Sequence, residues 1–130
     1  MTPDLISLLV CEDVLLNPSG RLTLYNVFRD VTADRFPALA PRFHVVSTWF
    51  NPGESPMDAV AQVSVVGPDG AVIGDAVSSM TIQPGAYYSW IARFRGLVFP
   101  EPGTYRVQVQ CAGRQMSELL VTVKVEEEEE

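Results

Sequence analysis

The sequence predicts an all-β protein: an antiparallel Greek-key β-sandwich of about eight or nine strands in a single domain, residues 1–125. Three observations carry this reading. Apolar and polar residues alternate with period two over most segments, as half-buried strands require. Turn-forming clusters punctuate the chain at strand-like intervals: "NPSG" at 17–20, "NPGESP" at 51–56, "GPDG" at 67–70 and "QPG" at 83–85. No segment repeats its apolar residues with a helical period. A closed barrel is the alternative architecture, because alternation fixes faces and not neighbours.

The elements follow in order. "LISLLVCEDVLL", 5–16, is a nearly continuous β-compatible apolar run that stops at the first turn cluster. In "RLTLYNVF", Leu22, Leu24, Asn26 and Phe28 share one face and Arg21, Thr23, Tyr25 and Val27 the other. "DRFPALAPRF" is broken by Pro37 and Pro41 and reads as a crossing loop with a short extended piece. "FHVVSTWF", 43–50, is a strand. "DAVAQVSVV", 58–66, puts Ala59, Ala61, Val63 and Val65 on one face. "GPDG" reverses the chain: Pro68 presets φ, and Asp69 and Gly70 complete the turn. "AVIGDAVSSMTI" and "SWIARFRGLVF" are the next strands.

The stretch "GLVFPEPGTYRVQVQ", 96–110, carries the densest local information. Pro100 cannot donate to a ladder, so pairing stops there. Pro102-Gly103 is the recipe for a type II turn. Tyr105 then opens a strand in which Tyr105, Val107, Val109 and Cys111 face one way and Arg106, Gln108 and Gln110 the other. A tyrosine after such a corner buries its ring and bonds its hydroxyl to nearby backbone. The last strand, "ELLVTVKV", forms a hairpin with it.

Composition bounds the function classes. The chain has 130 residues, ten prolines, nine glycines and a net charge of −7. Five of the sixteen acids are the run Glu126 to Glu130, and without it eleven acids face nine bases. The body is nearly neutral and has no basic stripe, which argues against nucleic acid. Five adjacent like charges with no apolar face predict a disordered tail, 126–130. "MTPDL" carries an acid where a secretory leader is basic, and no apolar run reaches the length of a membrane span. The expectation is a cytoplasmic protein with no membrane partner. Cys11 and Cys111 fit no zinc pattern. In a reducing compartment they read as two buried free thiols, with a disulfide between them as the alternative.

"CED" at 11–13, "RFP" at 35–37 and "GLVFPEPGTYRVQV" at 96–109 resemble the pattern of an uncharacterised bacterial family of small all-β proteins, a domain of unknown function. The resemblance runs from about residue 4 to residue 125. It implies an immunoglobulin-like β-sandwich. It brings no catalytic or binding residues, because the family has none established.

The candidate residues point to binding rather than catalysis. His44, the one histidine, has no nucleophile or ligand set beside it in sequence and reads as an outward strand residue. Glu12 and Asp13 are adjacent, so an extended chain points them apart and they do not form an acid–base pair. The loop aspartates are too separated for a cation cage, and no Gly-rich phosphate loop exists. No enzyme activity, metal or cofactor is therefore expected. What remains is a candidate face: Trp49, Phe50, Tyr87, Trp90, Ile91, Arg93 and Arg95. Trp49, Tyr87 or Trp90 would supply an aromatic platform for a small ligand or carbohydrate at a loop end. Alternatively Tyr88, Trp90, Ala92 and Phe94 line the core and Tyr87 covers the outside. Arg93 and Arg95 would lie on one outer face, with Arg106 a third member if its strand is near. Val27, Val46, Phe50 and Ile91 are more apolar than a solvated sheet face needs. They favour a non-catalytic interaction or structural module that binds protein, itself or another, through an edge strand or an outer face.

Overall fold

A computed structural model describes residues 2–126. The glutamate run from residue 127 lies outside the described residues, and with it most of the segment expected to be disordered. Glu126 itself is held by its backbone, its N–H donating to the carbonyl of Ala33 at 2.8 Å.

The described residues form eleven strands and no helix. One sheet contains β1 (Asp4–Leu16), β2 (Leu22–Val27), β5 (Phe43–Phe50) and β8 (Tyr87–Phe94), in the order β2-β1-β5-β8. The other contains β3 (Asp30–Ala33), β6 (Met57–Val66), β7 (Val72–Ile82), β10 (Gly103–Cys111) and β11 (Arg114–Val125), in the order β3-β11-β10-β6-β7. The chain crosses between sheets after β5, after β7 and before β10, as a Greek-key sandwich does. All pairings are antiparallel except that of β3 with β11.

The strands beyond the expected eight or nine come from short pieces. β4 (Ala38–Ala40) and β9 (Leu97–Phe99) pair with each other in the segment read as a crossing loop and in the stretch before the corner. Their ladder continues that of β5 and β8 past an interruption at Pro41-Arg42 and Arg95-Gly96. Gly96 has φ +71°, which lets the second ribbon turn away from the first. The turned ribbon packs on β7, where the absence of a side chain matters. A Cβ on Gly74 would lie 2.9 Å from Leu97 Cδ1 and 3.2 Å from the Phe94 ring.

The predicted faces hold. Tyr105, Val107, Val109 and Cys111 are buried between the sheets with Ala61, Val63 and Val65 from β6 and Val121 and Val123 from β11. The opposite sheet contributes Val10, Phe43, Val45, Trp49, Ala92 and Phe94. Phe43 meets Phe94 and Phe99 edge-on, and Phe99 meets Tyr105 at 4.9 Å between ring centroids. The Tyr105 hydroxyl donates to the carbonyl of Glu101 at 2.6 Å, as the corner reading required. The turn itself differs from the type II expectation. Gly103 has φ +147°, wider than that turn type needs, because it already belongs to β10 and its Cα sits against Pro68, 2.6 Å from where a Cβ would stand.

Asn51 is the structural residue that sequence reasoning missed. It is wholly buried at the crossing from β5 to β6. Its amide nitrogen donates to the carbonyls of Ser55 and Ile82, at 2.9 and 2.8 Å. Its Oδ1 accepts from the Gly53 N–H at 2.8 Å. Its backbone bonds Ala86 and Gly85. One residue, through side chain and backbone together, thus ties the end of β5, the 51–56 loop, the end of β7 and the turn before β8.

The cysteines are free. Cys11 pairs across the ladders with Val27 and His44 on the outer side of its sheet, whereas Cys111 faces the core from the other sheet. The two thiols point away from one another across the sandwich, which excludes the disulfide alternative. Burial pushes both thiols and the Tyr105 phenol above their ordinary ranges.

Two outcomes follow. Asn51→Ala strands the buried Ile82 carbonyl and removes the partner of the part-buried Ser55 carbonyl and Gly53 N–H, and is expected to cost about 3 kcal/mol in urea unfolding; a loss below about 1 kcal/mol would refute the tie. The lowered acidities mean that the folded state holds these protons more tightly than the unfolded chain. Their contribution is complete below the ordinary thiol range, about 8.5, and declines as pH rises through the folded values. The urea midpoint should therefore stay level to about pH 8 and fall toward pH 11, with both thiols inert to a bulky thiol reagent until urea unfolds the chain. A midpoint unchanged to pH 11, or rapid native labelling, would contradict this burial.

Candidate functional site

The outer side of the β2-β1-β5-β8 sheet is built in rows, because residues paired across antiparallel strands share a face. Leu9, Val46 and Ile91 form one row, and Val46 is only 3% exposed between its two neighbours. Val27, Cys11, His44 and Arg93 form the next. Asp4, Phe50 and Tyr87 form the row at the far end, where the Phe50 and Tyr87 rings pack at 4.8 Å. Between them Thr48 Oγ1 and Ser89 Oγ share a hydrogen bond of 3.1 Å. Tyr87 is 66% exposed and Val27 50%. Leu15 and Tyr25 extend the apolar surface along β1 and β2.

The other sheet's outer side is different in kind. Gln108 donates to Glu118, which also meets Arg106 at 3.8 Å. Thr81 donates to Asp58 at 2.7 Å. Val60, Val77 and Leu120 are exposed there among polar neighbours such as Gln62, Ser79 and Arg106. Isolated apolar residues are ordinary on a surface, whereas rows of them on a sheet face are not.

The structure divides the candidate set. Phe50, Tyr87, Ile91 and Arg93 lie together on the outer face, as expected. Trp49 does not: it is 0% exposed, with its indole N–H donating to the buried Ser47 Oγ at 2.9 Å. It shares the inward parity of Phe43 and Val45, which places it in the core. Trp90 also faces inward, half-buried against the core, beside Tyr88. Of the three aromatic residues considered for a ligand platform, Tyr87 alone lies outward. Arg95 is exposed in the interruption after β8. Arg106 does not join Arg93, since it lies on the opposite sheet. His44 faces outward as read. Its Nδ1 is buried without a hydrogen-bond partner, beside Cys11 and Arg93 in its row.

Two further features were not legible in the sequence. The first is the edge formed by β8. It closes its sheet with no hydrogen-bonded strand on its outer side, and no loop hydrogen bond reaches residues 87–94 among the described residues; β7 of the other sheet approaches it at Gly74 and Phe94. Strand order decides this, and alternation does not report strand order. The second is an open recess of about 390 Å³ at one end of the sandwich, walled by Phe28, Val31 and Leu39 and rimmed by Glu12, Asp30 and Arg42. It lies apart from the candidate face, in the segment whose prolines read only as a crossing loop.

Two solved structures share the fold over most of this chain. An alkylpurine DNA glycosylase from Pseudomonas fluorescens superposes with a TM-score of 0.52 over 90% of this chain, at 13% identity. A β-D-glucoside glucohydrolase from Trichoderma reesei superposes with a TM-score of 0.59 over 94%, at 14% identity. This chain spans only 30% and 19% of those two proteins, so each likeness is to one module of a larger enzyme. An immunoglobulin-like protein from Pseudomonas aeruginosa aligns over 95% of this chain and 97% of its own, at 16% identity and a TM-score of 0.42. No curated protein matches the sequence. At such identities the likeness concerns architecture: an all-β, sandwich-like fold. The family model that matches covers residues 6–124, and the chain belongs to the family of unknown function DUF6941.

Proposed function

We propose that this chain is a non-catalytic interaction module that offers the outer side of the β2-β1-β5-β8 sheet, with its β8 edge, to a protein partner. The observation that carries the reading is the asymmetry of the two outer faces. One is cross-linked by polar side chains. The other presents Leu9, Val46 and Ile91 as a continuous row flanked by Val27, Phe50 and Tyr87. Both faces meet the same solvent, so solvation alone gives no reason for the difference. Interface cores are enriched in aromatic side chains and arginine, which Phe50, Tyr87 and Arg93 supply on this face. An aromatic platform for a carbohydrate would rest on Tyr87 and its neighbour Phe50, since Trp49 and Trp90 point inward.

The test is capture of partners from a lysate of the source organism by the tagged protein, read by mass spectrometry. Val27→Glu with Ile91→Glu should reduce capture about tenfold, while Val60→Glu with Val77→Glu on the opposite face should leave it unchanged. Equal loss from both pairs, or no specific capture by a folded protein, would overturn the reading.

A further inference from the structure

We propose that the partner at the β8 edge is a second copy of this chain, joined through antiparallel pairing of β8 with β8 about a two-fold axis at Trp90. The inference rests on the interaction reading above and names the partner for its edge. The two four-stranded sheets would then run on as one sheet of eight.

The first argument is the state of the edges. Sheet edges are normally protected by short length, bulges, prolines, glycines or charges. β3 is four residues long. β2 carries Asn26 as its penultimate residue, with φ +52° and a side chain that donates to Glu12. β7 carries Gly74 and Asp75, next to a register shift against β6 at Val65/Val66. Of these devices β8 has one, a single charge. It runs for eight residues, "YYSWIARF", with no proline, glycine, lysine or acid, and Arg93 is its one charge.

The second argument is that β8 complements itself in one register. Paired residues share a face, so a two-fold axis must pass through a residue for both cores to stay inward. With the axis at Trp90, Tyr87 lies opposite Arg93 of the partner copy, twice by symmetry, on the outer face. A guanidinium beside a phenol ring is a favourable cation–π pair. On the inner face Tyr88 lies opposite Ala92 of the partner copy, large against small. The two arginines stand six residues apart along the ladder, about 20 Å. Moving the axis toward Arg93 brings like charges together, which is unfavourable across a strand pair. The Tyr87 ring needed for the contact is already outward and packed on Phe50.

The experiment is sedimentation velocity across a concentration series, from micromolar to about a millimolar. The unaltered chain should show a monomer–dimer equilibrium. Tyr87→Arg sets arginine against arginine and should raise the dimer dissociation constant about tenfold or more. The double change Tyr87→Arg with Arg93→Glu restores opposite charges across the axis and should recover the dimer. All three chains should give the same far-ultraviolet circular dichroism, since both positions are exposed. A chain that stays monomeric at every concentration, or a dimer indifferent to the single change and to its rescue, would overturn the proposal. A monomer that still captures a different protein in a face-dependent way would sink the self-pairing alone; a dimer with no face-dependent capture would sink the broader reading alone.

Discussion

The arrangement of both sheets at the candidate face depends on one buried amide. Asn51 satisfies two carbonyls and an N–H with its side chain, and bonds Gly85 and Ala86 through its backbone. Buried polar groups without partners are costly, so this set forms together or not at all. The consequence is spatial. The end of β5 and the start of β8 are held side by side, which sets Phe50 against Tyr87 and fixes the eight-residue register between the two strands. At the other end of that ladder Gly96 and the Gly74 contact turn the β4–β9 ribbon over onto β7. Between these two anchors β8 forms the edge of its sheet, and no strand among the described residues is hydrogen-bonded to its outer side.

Function, on this account, follows from what the scaffold leaves uncovered. A sandwich of this size needs one apolar side per sheet. This one has a second apolar surface, on the outer side of the β2-β1-β5-β8 sheet, and an edge without protection beside it. Main-chain pairing at an edge supplies affinity, and side chains on the flanking face supply selectivity. The two features adjoin at Tyr87, Ile91 and Arg93, so one contact surface can use both.

Much of the fold was legible because period-two alternation is a strong signal. It assigned the inward faces of β6, β10 and β11, and it placed Val46, Phe50 and Ile91 outward correctly. The corner at 100–105 was legible from Pro100, Gly103 and Tyr105, since each has a separate physical reason to be there. The failures have physical causes too. Trp49 was entered as a surface candidate on aromatic character, although its parity with Phe43 and Val45 already pointed inward. β4 and β9 are three residues each, too short for alternation to register, and prolines disguise the first. Asn51 looked like an ordinary turn residue in "NPGESP", because its carbonyl partner Ile82 is distant in sequence. The β8 edge was hidden because a strand's neighbours are not written in its own pattern. The separation of Arg106 from Arg93 has the same origin.

The central claim is that the β8 edge is where this molecule makes backbone contact with a partner. Hydrogen–deuterium exchange of the β8 amides at low and high protein concentration tests it most directly, because exchange reads individual strands. The account predicts that alternate amides of residues 87–94, those turned away from β5, become protected as concentration rises, while those of β2 and β3 do not change. Exchange in β8 that is independent of concentration, or protection that arises at another edge, would contradict it.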